Sequence, residues 1–172
     1  MRFLAFQPAF DVLHTQFRFL RLRRLMSADT PLHFDQLRIA DFYLVFFFRL
    51  ADVRLSPRHK RLKQLANSLA SDRYEIQPDD HLLFSRMGRT QRAAVETLSF
   101  CGFFDSDAYR SGVILEGNRQ ESSALASRID LANESEAKKM AAIQTLISEY
   151  DLLGPDGIKA RTGLLEHRYD AI

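Results

Sequence analysis

The sequence predicts a mostly α-helical protein with a small β wing. Apolar residues recur at helical spacing in five stretches, around residues 11–26, 34–50, 57–69, 90–101 and 120–150. Ser56 and Thr90 stand where helix N-caps are expected, and Gly102 stands where a helix should end. A single short β-like run, residues 113–115 (Val-Ile-Leu), follows a polar segment.

Composition places the chain among globular proteins. Hydrophobic residues make up 46% and charged residues 27%, so the 172 residues can bury a core, and they are unlike a disordered chain. One cysteine, Cys101, excludes an internal disulfide and fits a reducing compartment. The longest apolar run, residues 42–48, is far shorter than the ~20 residues that cross a bilayer. We expect a soluble, cytoplasmic protein with no membrane partner.

The first helix is predicted over residues 11–26, where Leu13, Phe17 and Leu20 share one apolar face. Its C-terminal end is rich in cations, which suit the negative end of the helix dipole: Arg21, Arg23 and Arg24. Residues 28–31 are typical of a turn.

The second helix, residues 34–50, is apolar almost all the way round in its later part. It is therefore either the central helix of the fold or a helix partly covered by another protein. On the second interpretation, Phe42 and Phe46 are candidate partner-binding residues.

A third helix follows Ser56-Pro57, with an apolar stripe opposite a strongly basic side. The basic side consists of Arg58, His59, Lys60, Arg61 and Lys63. Residues 73–77 are compatible with a short strand.

The middle of the chain predicts two helices. Asp79 or Asp80 caps a short helix that Gly88 ends, and Thr90 caps the next. The order helix, turn, helix, loop, short strand is typical of a winged-helix domain.

The C-terminal third begins with a helical region over residues 120–150. Asn133 and Glu136 have the spacing of a capping box, so one long helix and two stacked helices both remain open. Residues 154–157 (Gly-Pro-Asp-Gly) end the region. We therefore divide the chain into a winged-helix-like domain (1–117), a long helical segment (118–153) and a docking tail (154–172).

No catalytic motif is present in the sequence. It has no GxSxG elbow, no P-loop, no CxxC pair and no histidine pair at i,i+4, so we expect neither metal nor cofactor. Cys101 lies on the apolar face of a predicted helix, where an inert buried thiol is expected. We conclude that the chain is not an enzyme.

Two clusters could bind partners. Arg86, Arg89 and Arg92 surround the start of the helix after Thr90, where arginines could contact phosphates; a solvated helix face paired with acids is the more common explanation. The tail combines residue types that are frequent at interfaces, although a segment packed on its own domain is equally compatible: Lys159, Arg161, Glu166, His167, Arg168 and Tyr169.

Charge is unevenly distributed along the chain. Residues 1–63 contain 12 Lys and Arg against 5 Asp and Glu, while the whole chain has a net charge of +2. Such a basic front half could face nucleic acid, an acidic protein or simply solvent.

Four stretches together resemble a bacterial family, the middle component of ABC-three-component defence systems. They are residues 3–11, residues 32–44, residues 91–103 and residues 159–170 (Lys-Ala-Arg-Thr-Gly-Leu-Leu-Glu-His-Arg-Tyr-Asp). The sequence departs from the family pattern at Phe47-Phe48, where a proline is expected, which bears on where the second helix ends.

The resemblance implies a non-catalytic adaptor that joins an ABC ATPase of the SMC or Rad50 kind to an effector, often a nuclease, with Lamassu systems as the nearest relatives. It implies that the chain sits on the ATPase heads or the adjoining coiled coil, and that DNA is met through the assembled complex. The rival hypothesis is a stand-alone winged-helix DNA-binding regulator that uses Arg86, Arg89 and Arg92.

Overall fold

Helices dominate the protein, as seen in a computed structural model that describes residues 7–28, 30–70 and 78–165. The described residues form eight α-helices: α1 (Val12–Arg23), α2 (Phe34–Val45), α3 (Lys60–Ser68), α4 (Asp80–Phe100), α5 (Ser106–Arg110), α6 (Ser123–Ser135), α7 (Ala137–Ser148) and α8 (Ile158–Thr162). Short 3-10 helices cover Pro8–Phe10, Phe47–Asp52 and Pro57–His59.

A two-stranded antiparallel sheet is the β element of the described chain. Strand β1 (Leu32–His33) pairs with β2 (Val113–Ile114), with Leu32 opposite Ile114. Both of these side chains are buried, so the sheet closes one side of the core. The predicted fold class, mostly α with a small β wing, is confirmed. The finer winged-helix assignment stays a prediction, and the strand predicted at 73–77 lies outside the described residues.

Local side-chain bonds begin the first two helices. The Asp11 carboxylate accepts a hydrogen bond from the His14 backbone N–H at 2.8 Å and caps α1. His33 Nδ1 accepts from the Asp35 N–H, and the Gln36 side chain accepts from the His33 N–H, which together make a capping box for α2. Helix α2 ends at Val45, earlier than predicted, and the chain continues as the 3-10 helix Phe47–Asp52.

Helix α2 is the central helix of the fold, as one of the two interpretations of its apolar sequence predicts. It packs against α1, α4 and α7. Phe42 is fully buried, and its ring centroid lies 5.2 Å from that of Tyr43 and 5.8 Å from that of Phe84. Such edge-to-face packing stabilises a core beyond simple area burial.

Helix α4 runs without a break through Gly88, so the predicted stop at Gly88 and the predicted cap at Thr90 are wrong. Gly88 is buried, and a Cβ atom there would lie 3.3 Å from Arg38 Nη2. The glycine lets the Arg38 guanidinium lie against α4, and this tertiary contact outweighs the small helix penalty of glycine.

The predicted helical region of residues 120–150 forms two helices, one of the two alternatives that the sequence left open, and they separate at Glu136 rather than at an Asn133 cap. Asn133 and Glu136 form no reciprocal capping box; instead they bind Arg21 of α1. Arg21 Nε donates to Asn133 Oδ1 at 2.9 Å and Nη2 donates to Glu136 Oε2 at 2.6 Å, while Asn133 Nδ2 donates to the Arg21 carbonyl. Arg21 therefore joins helices rather than complementing a helix dipole.

A buried polar cluster lies between α1, α2 and α4. Asp41 of α2 has no exposed surface, and Arg18 of α1 donates to both of its carboxylate oxygens. Gln91 of α4, also fully buried, donates to Asp41 Oδ2 at 3.0 Å. Because an unpaired charge in the interior is very costly, each of these helices must present its polar residue at this point.

The cluster extends towards the C-terminal end of the chain. Arg38 Nε donates to Gln91 Oε1 at 3.1 Å, and Arg38 Nη1 pairs with Asp35. The buried Lys159 of α8 pairs with the other Asp35 oxygen at 3.2 Å. Burial lowers the pKa of Arg38, and the nearby Asp35 charge counteracts that shift.

One continuous hydrophobic core includes residues from all three predicted segments. Phe19, Leu37 and Ile143 belong to this cluster, and Ile158 and Leu164 of the tail region join it. The described tail therefore contributes apolar surface to the main core. The three-part division of the chain stays a proposal about folding units.

We expect Asp41→Ala to lower the free energy of unfolding by about 3–5 kcal/mol, because Arg18 would then be buried without its carboxylate. Urea denaturation measures the change. Asp107→Ala is the control: it removes an exposed pair with Arg110, which should contribute less than about 1 kcal/mol. An equal, small effect of both substitutions would contradict the structural role of Asp41.

Glu136 should make stability depend on pH. Burial raises the pKa of Glu136, but hydrogen bonds from Lys139 and Arg21 outweigh it and hold the pKa below the ordinary value of 4.5. A carboxyl whose pKa is lower in the folded state stabilises the protein above its unfolded pKa, and this stability is lost as the pH falls through the folded pKa.

Glu136→Gln should therefore destabilise the protein at neutral pH and reduce the loss of stability on acidification. Urea midpoints between about pH 7 and pH 3 measure this. Glu134→Gln, an exposed neighbour on α6, should leave the pH profile of the wild type intact. An unchanged profile for Glu136→Gln would show that the ion pair with Arg21 does not contribute.

Candidate docking surfaces

The two aromatic residues predicted to bind a partner lie at different depths. Phe42 is inside the core and does not reach the surface of the isolated chain, because α1, α4 and α7 surround α2. Phe46 is half-buried, with its ring 5.3 Å from Phe42 and the Arg49 guanidinium 5.8 Å above it. A partner could reach Phe46 directly, whereas Phe42 acts on any such contact only by supporting Phe46.

The described part of the tail is bonded to the body of the protein. Arg161 Nη1 donates to the Arg54 carbonyl at 2.6 Å, Nη2 donates to Asp156 Oδ1 at 2.8 Å, and the guanidinium lies 5.2 Å from the Tyr150 ring. Lys159 is buried against Asp35. These contacts place both residues in the intramolecular framework; Glu166, His167, Arg168 and Tyr169 lie outside the described residues.

Tyr150 connects this region to the start of α3. Its hydroxyl accepts a hydrogen bond from the Ser56 backbone N–H at 3.0 Å and lies 2.6 Å from His59 Nδ1. His59 Nε2 lies 3.1 Å from the Glu149 carboxylate, which also pairs with Arg58. The end of α7 thereby holds α3 and α8 in place.

The three arginines proposed for nucleic-acid contact lie on α4. Arg86, Arg89 and Arg92 are exposed, while Met87 and Gln91 between them are buried. No carboxylate of the described residues forms an ion pair with these arginines. The structure thus brings them to one solvent-facing side of a single helix, but it shows no bound partner.

An apolar groove lies between α1 and α6, and the sequence pattern does not predict it. Leu13 and Leu131 are 72% and 66% exposed and border a shallow cavity of about 510 Å³, with Phe17 at its base. His14 and Arg128 are the polar lining residues. The helical spacing assigned Leu13 to the core face with Phe17 and Leu20, but only Leu20 is fully buried because α6 covers the C-terminal half of α1.

A further exposed apolar residue lies at the end of α4. Phe100 is 91% exposed, Phe103 is half-buried beneath the Arg119 guanidinium, and Phe104 is buried. Gly102, with φ at 81°, turns the chain between them as a glycine helix stop requires. The sequence left core and interface open for the three phenylalanines, and the structure assigns only Phe104 fully to the core.

A mixed polar cavity of about 520 Å³ lies beside the C-terminal end of α1. Its lining charges are of both signs. Arg24 pairs with Glu121 and with Asp130, and the Arg23 Nη2 donates to the carbonyls of Ser27 and Ala28. These bonds close the turn that follows α1 against the loop before α6.

The described residues were also considered for metal-binding groups and membrane-spanning helices. No group of three or more His, Cys, Asp or Glu among them could hold a metal ion. Among the same residues, no helix is both long enough and apolar enough to cross a membrane.

Comparison with protein families gives one match. The family described as ABC-three component (ABC-3C) system Middle Component 5 matches residues 4–170, nearly the whole chain. Neither the curated proteins nor the solved structures yielded a match.

Arg161 should stabilise the fold, which matters for any test of the tail. We expect Arg161→Ala to lower the free energy of unfolding by about 1–3 kcal/mol, because the Arg54 carbonyl and Asp156 lose their donor. Arg128→Ala on exposed α6 surface is the control and should change it by less than about 0.5 kcal/mol. Thermal unfolding of both variants measures the difference. Equal melting temperatures would contradict a stabilising role of Arg161 in the fold.

Proposed function

The chain belongs to the family of ABC-three-component system middle components 5, and from this premise we propose that it is a non-catalytic adaptor between the other components of such a system. A middle component implies partner components. We propose that the partners are an ABC ATPase of the SMC or Rad50 kind and an effector, a nuclease, and that the system defends bacteria against phage or plasmid DNA, as Lamassu systems do.

The observation that carries the adaptor proposal is the groove between α1 and α6. Large apolar side chains such as Leu13 and Leu131 are rarely left so exposed side by side without a binding role. They border an open cavity of a size that one or two apolar side chains of another protein could fill.

Charge around the groove defines the expected occupant. Arg128 lines it and makes no ion pair with any described carboxylate, and His14 adds a second nitrogen group that already contacts Asp11. We propose that the occupant is a segment of a partner component that presents an apolar side chain next to an acidic one. Electrostatic complementarity of this kind orients a docking segment and selects it over others.

The tail is proposed as a separate contact. Because Lys159 and Arg161 already hold α8 on the protein, a partner contact would fall to Glu166, Arg168 and Tyr169, with Arg161 as a positioning residue. Two contacts on different elements would let the chain hold two partners at once, as an adaptor requires.

The first experiment is co-purification of the tagged chain expressed from its native operon, followed by mass determination of the intact assembly. The expected result is an ATPase and an effector in a fixed ratio with the chain. A lone monomer or homodimer would overturn the adaptor proposal.

The groove is tested in the same assay with Leu13→Ser combined with Leu131→Ser. Loss of a central apolar contact of this kind should reduce recovery of one partner about tenfold or more and leave the other unchanged. Leu82→Ser, which alters an exposed leucine on α4, is the matched control and should retain both partners. Full recovery of both partners by the groove variant would exclude the groove as a docking site.

Tyr169→Ala with Arg168→Ala tests the tail by the same readout. We expect these substitutions to weaken the partner that the groove variant retains. They are preferable to Arg161→Ala, whose effect on stability would confuse the result.

A DNA-binding regulator is the second candidate function, favoured by the three exposed arginines of α4. Sequence-specific binding of one operator by the isolated chain, with affinity falling steeply with salt, would support it. An ATPase gene and a nuclease gene beside the coding sequence would favour the adaptor instead.

A further inference from the structure

The most basic segment of the protein is the turn before α3 together with α3 itself. Residues 54–68 contain five Lys and Arg and no Asp or Glu. By comparison, α4 carries its three exposed arginines together with Asp80 and Glu96. The α3 segment therefore has the larger excess of positive residues, and neither the core nor the adaptor contacts account for it.

Helix α3 separates apolar and basic residues cleanly. Ala66 is buried, and Leu62 and Leu65 pack against the core beside the 3-10 helix Phe47–Asp52. The opposite side exposes Lys60 and Arg61, with Lys63 at its edge. The other exposed residues of that side are polar and neutral: Gln64, Asn67 and Ser68. We call Lys60, Arg61, Lys63, Gln64, Asn67 and Ser68 the α3 basic face.

Among residues 7–28, 30–70 and 78–165, no carboxylate pairs with the cations of the α3 basic face. The nearby carboxylate of Glu149 is taken by Arg58 at 3.3 Å and lies 3.1 Å from His59. Lys60, Arg61 and Lys63 form no ion pair with any described residue. By contrast, Arg18, Arg21 and Arg24 are each paired with a carboxylate of another helix or loop.

The residue types on this face distinguish two kinds of acidic partner. A protein interface needs buried aromatic or aliphatic anchors at its centre, and lysine is depleted there. No aromatic or aliphatic residue of α3 itself is exposed, and the half-exposed Leu69 follows its last residue. In protein–DNA complexes, phosphates are contacted by Lys, Arg, Gln, Asn and Ser side chains. These are the residue types that form the α3 basic face.

We propose that the α3 basic face binds the phosphate backbone of double-stranded DNA without reading its sequence. Contacts to phosphates from a single helix face position a protein on the duplex and carry no base recognition. The proposal assigns DNA contact to the middle component itself and does not depend on which partners the adaptor joins. It also places that contact on α3 and not on Arg86, Arg89 and Arg92.

The test measures binding of the full chain to a fluorescently labelled duplex of about 20 base pairs, by anisotropy between about 50 and 200 mM salt. The first variant combines Lys60→Gln, Arg61→Gln and Lys63→Gln. The matched variant combines Arg86→Gln, Arg89→Gln and Arg92→Gln, which removes the same number of charges from α4. Circular dichroism and thermal unfolding verify that both variants fold as the wild type does.

The expected result is salt-sensitive binding by the wild type and a loss of more than about tenfold in the α3 variant at low salt. The slope of log affinity against log salt should fall by about 3 units, since each phosphate contact contributes about 0.9. The α4 variant should bind within about threefold of the wild type. Two duplexes of unrelated sequence should bind equally.

Four outcomes would overturn the proposal. The first is no DNA binding by the wild type at low salt, and the second is unchanged DNA binding by the α3 variant. The third is a larger loss of DNA affinity in the α4 variant than in the α3 variant. The fourth is that polyglutamate binds as tightly as DNA and depends on α3 in the same way. The fourth outcome would indicate that the α3 basic face binds an acidic protein instead of DNA. Co-purification with partner components is expected to survive the α3 substitutions, so failure of this proposal and failure of the adaptor proposal can be told apart.

Discussion

The buried ion pair between Arg18 and Asp41 is the constraint on which the rest of the structure depends. A carboxylate with no exposed surface in the middle of α2 must receive charged or polar donors, and α1 and α4 supply them through Arg18 and Gln91. Satisfying Asp41 fixes the rotation of α1 and α4 about their own axes. Through Gln91, Arg38 and Asp35 the same chain of bonds reaches Lys159 and positions α8.

Pairing inside the protein decides which cations remain for partners. Arg21 and Arg24 look like helix-dipole residues in the sequence, yet both join α1 to the C-terminal helices. Arg38 stacks over Phe84 at 4.6 Å within the core. Exposed cations without a described ion pair remain on several elements: the α3 basic face, the three arginines of α4, Arg128 on α6 and Lys138 on α7. The α3 and α4 surfaces hold several such cations each and differ in how many acids accompany them. Charge at a surface therefore has functional meaning only after the internal pairs have been assigned.

The adaptor role proposed above requires separate surfaces on one chain. The described helices meet this requirement: α2 is enclosed, whereas the groove of Leu13 and Leu131, the α3 basic face and the tail lie on different elements. The hydrogen bonds of Tyr150 to Ser56 and His59 connect the start of α3 with the end of α7. The α3 basic face is thereby held in position relative to the C-terminal helices. This arrangement suits simultaneous rather than competing partners.

The sequence by itself determined the mostly α fold class, a strand beginning at Val113 and the glycine stop at Gly102, because helical spacing, caps and turns depend on neighbours a few residues away. It also carried the family resemblance. Only the tertiary structure decided that α4 continues through Gly88, that Asn133 and Glu136 bind Arg21, and that Leu13 stays exposed while Phe42 is enclosed. These outcomes rest on contacts between residues far apart in the sequence, such as Arg38 with Gln91 and Arg21 with Asn133, and no local pattern encodes them.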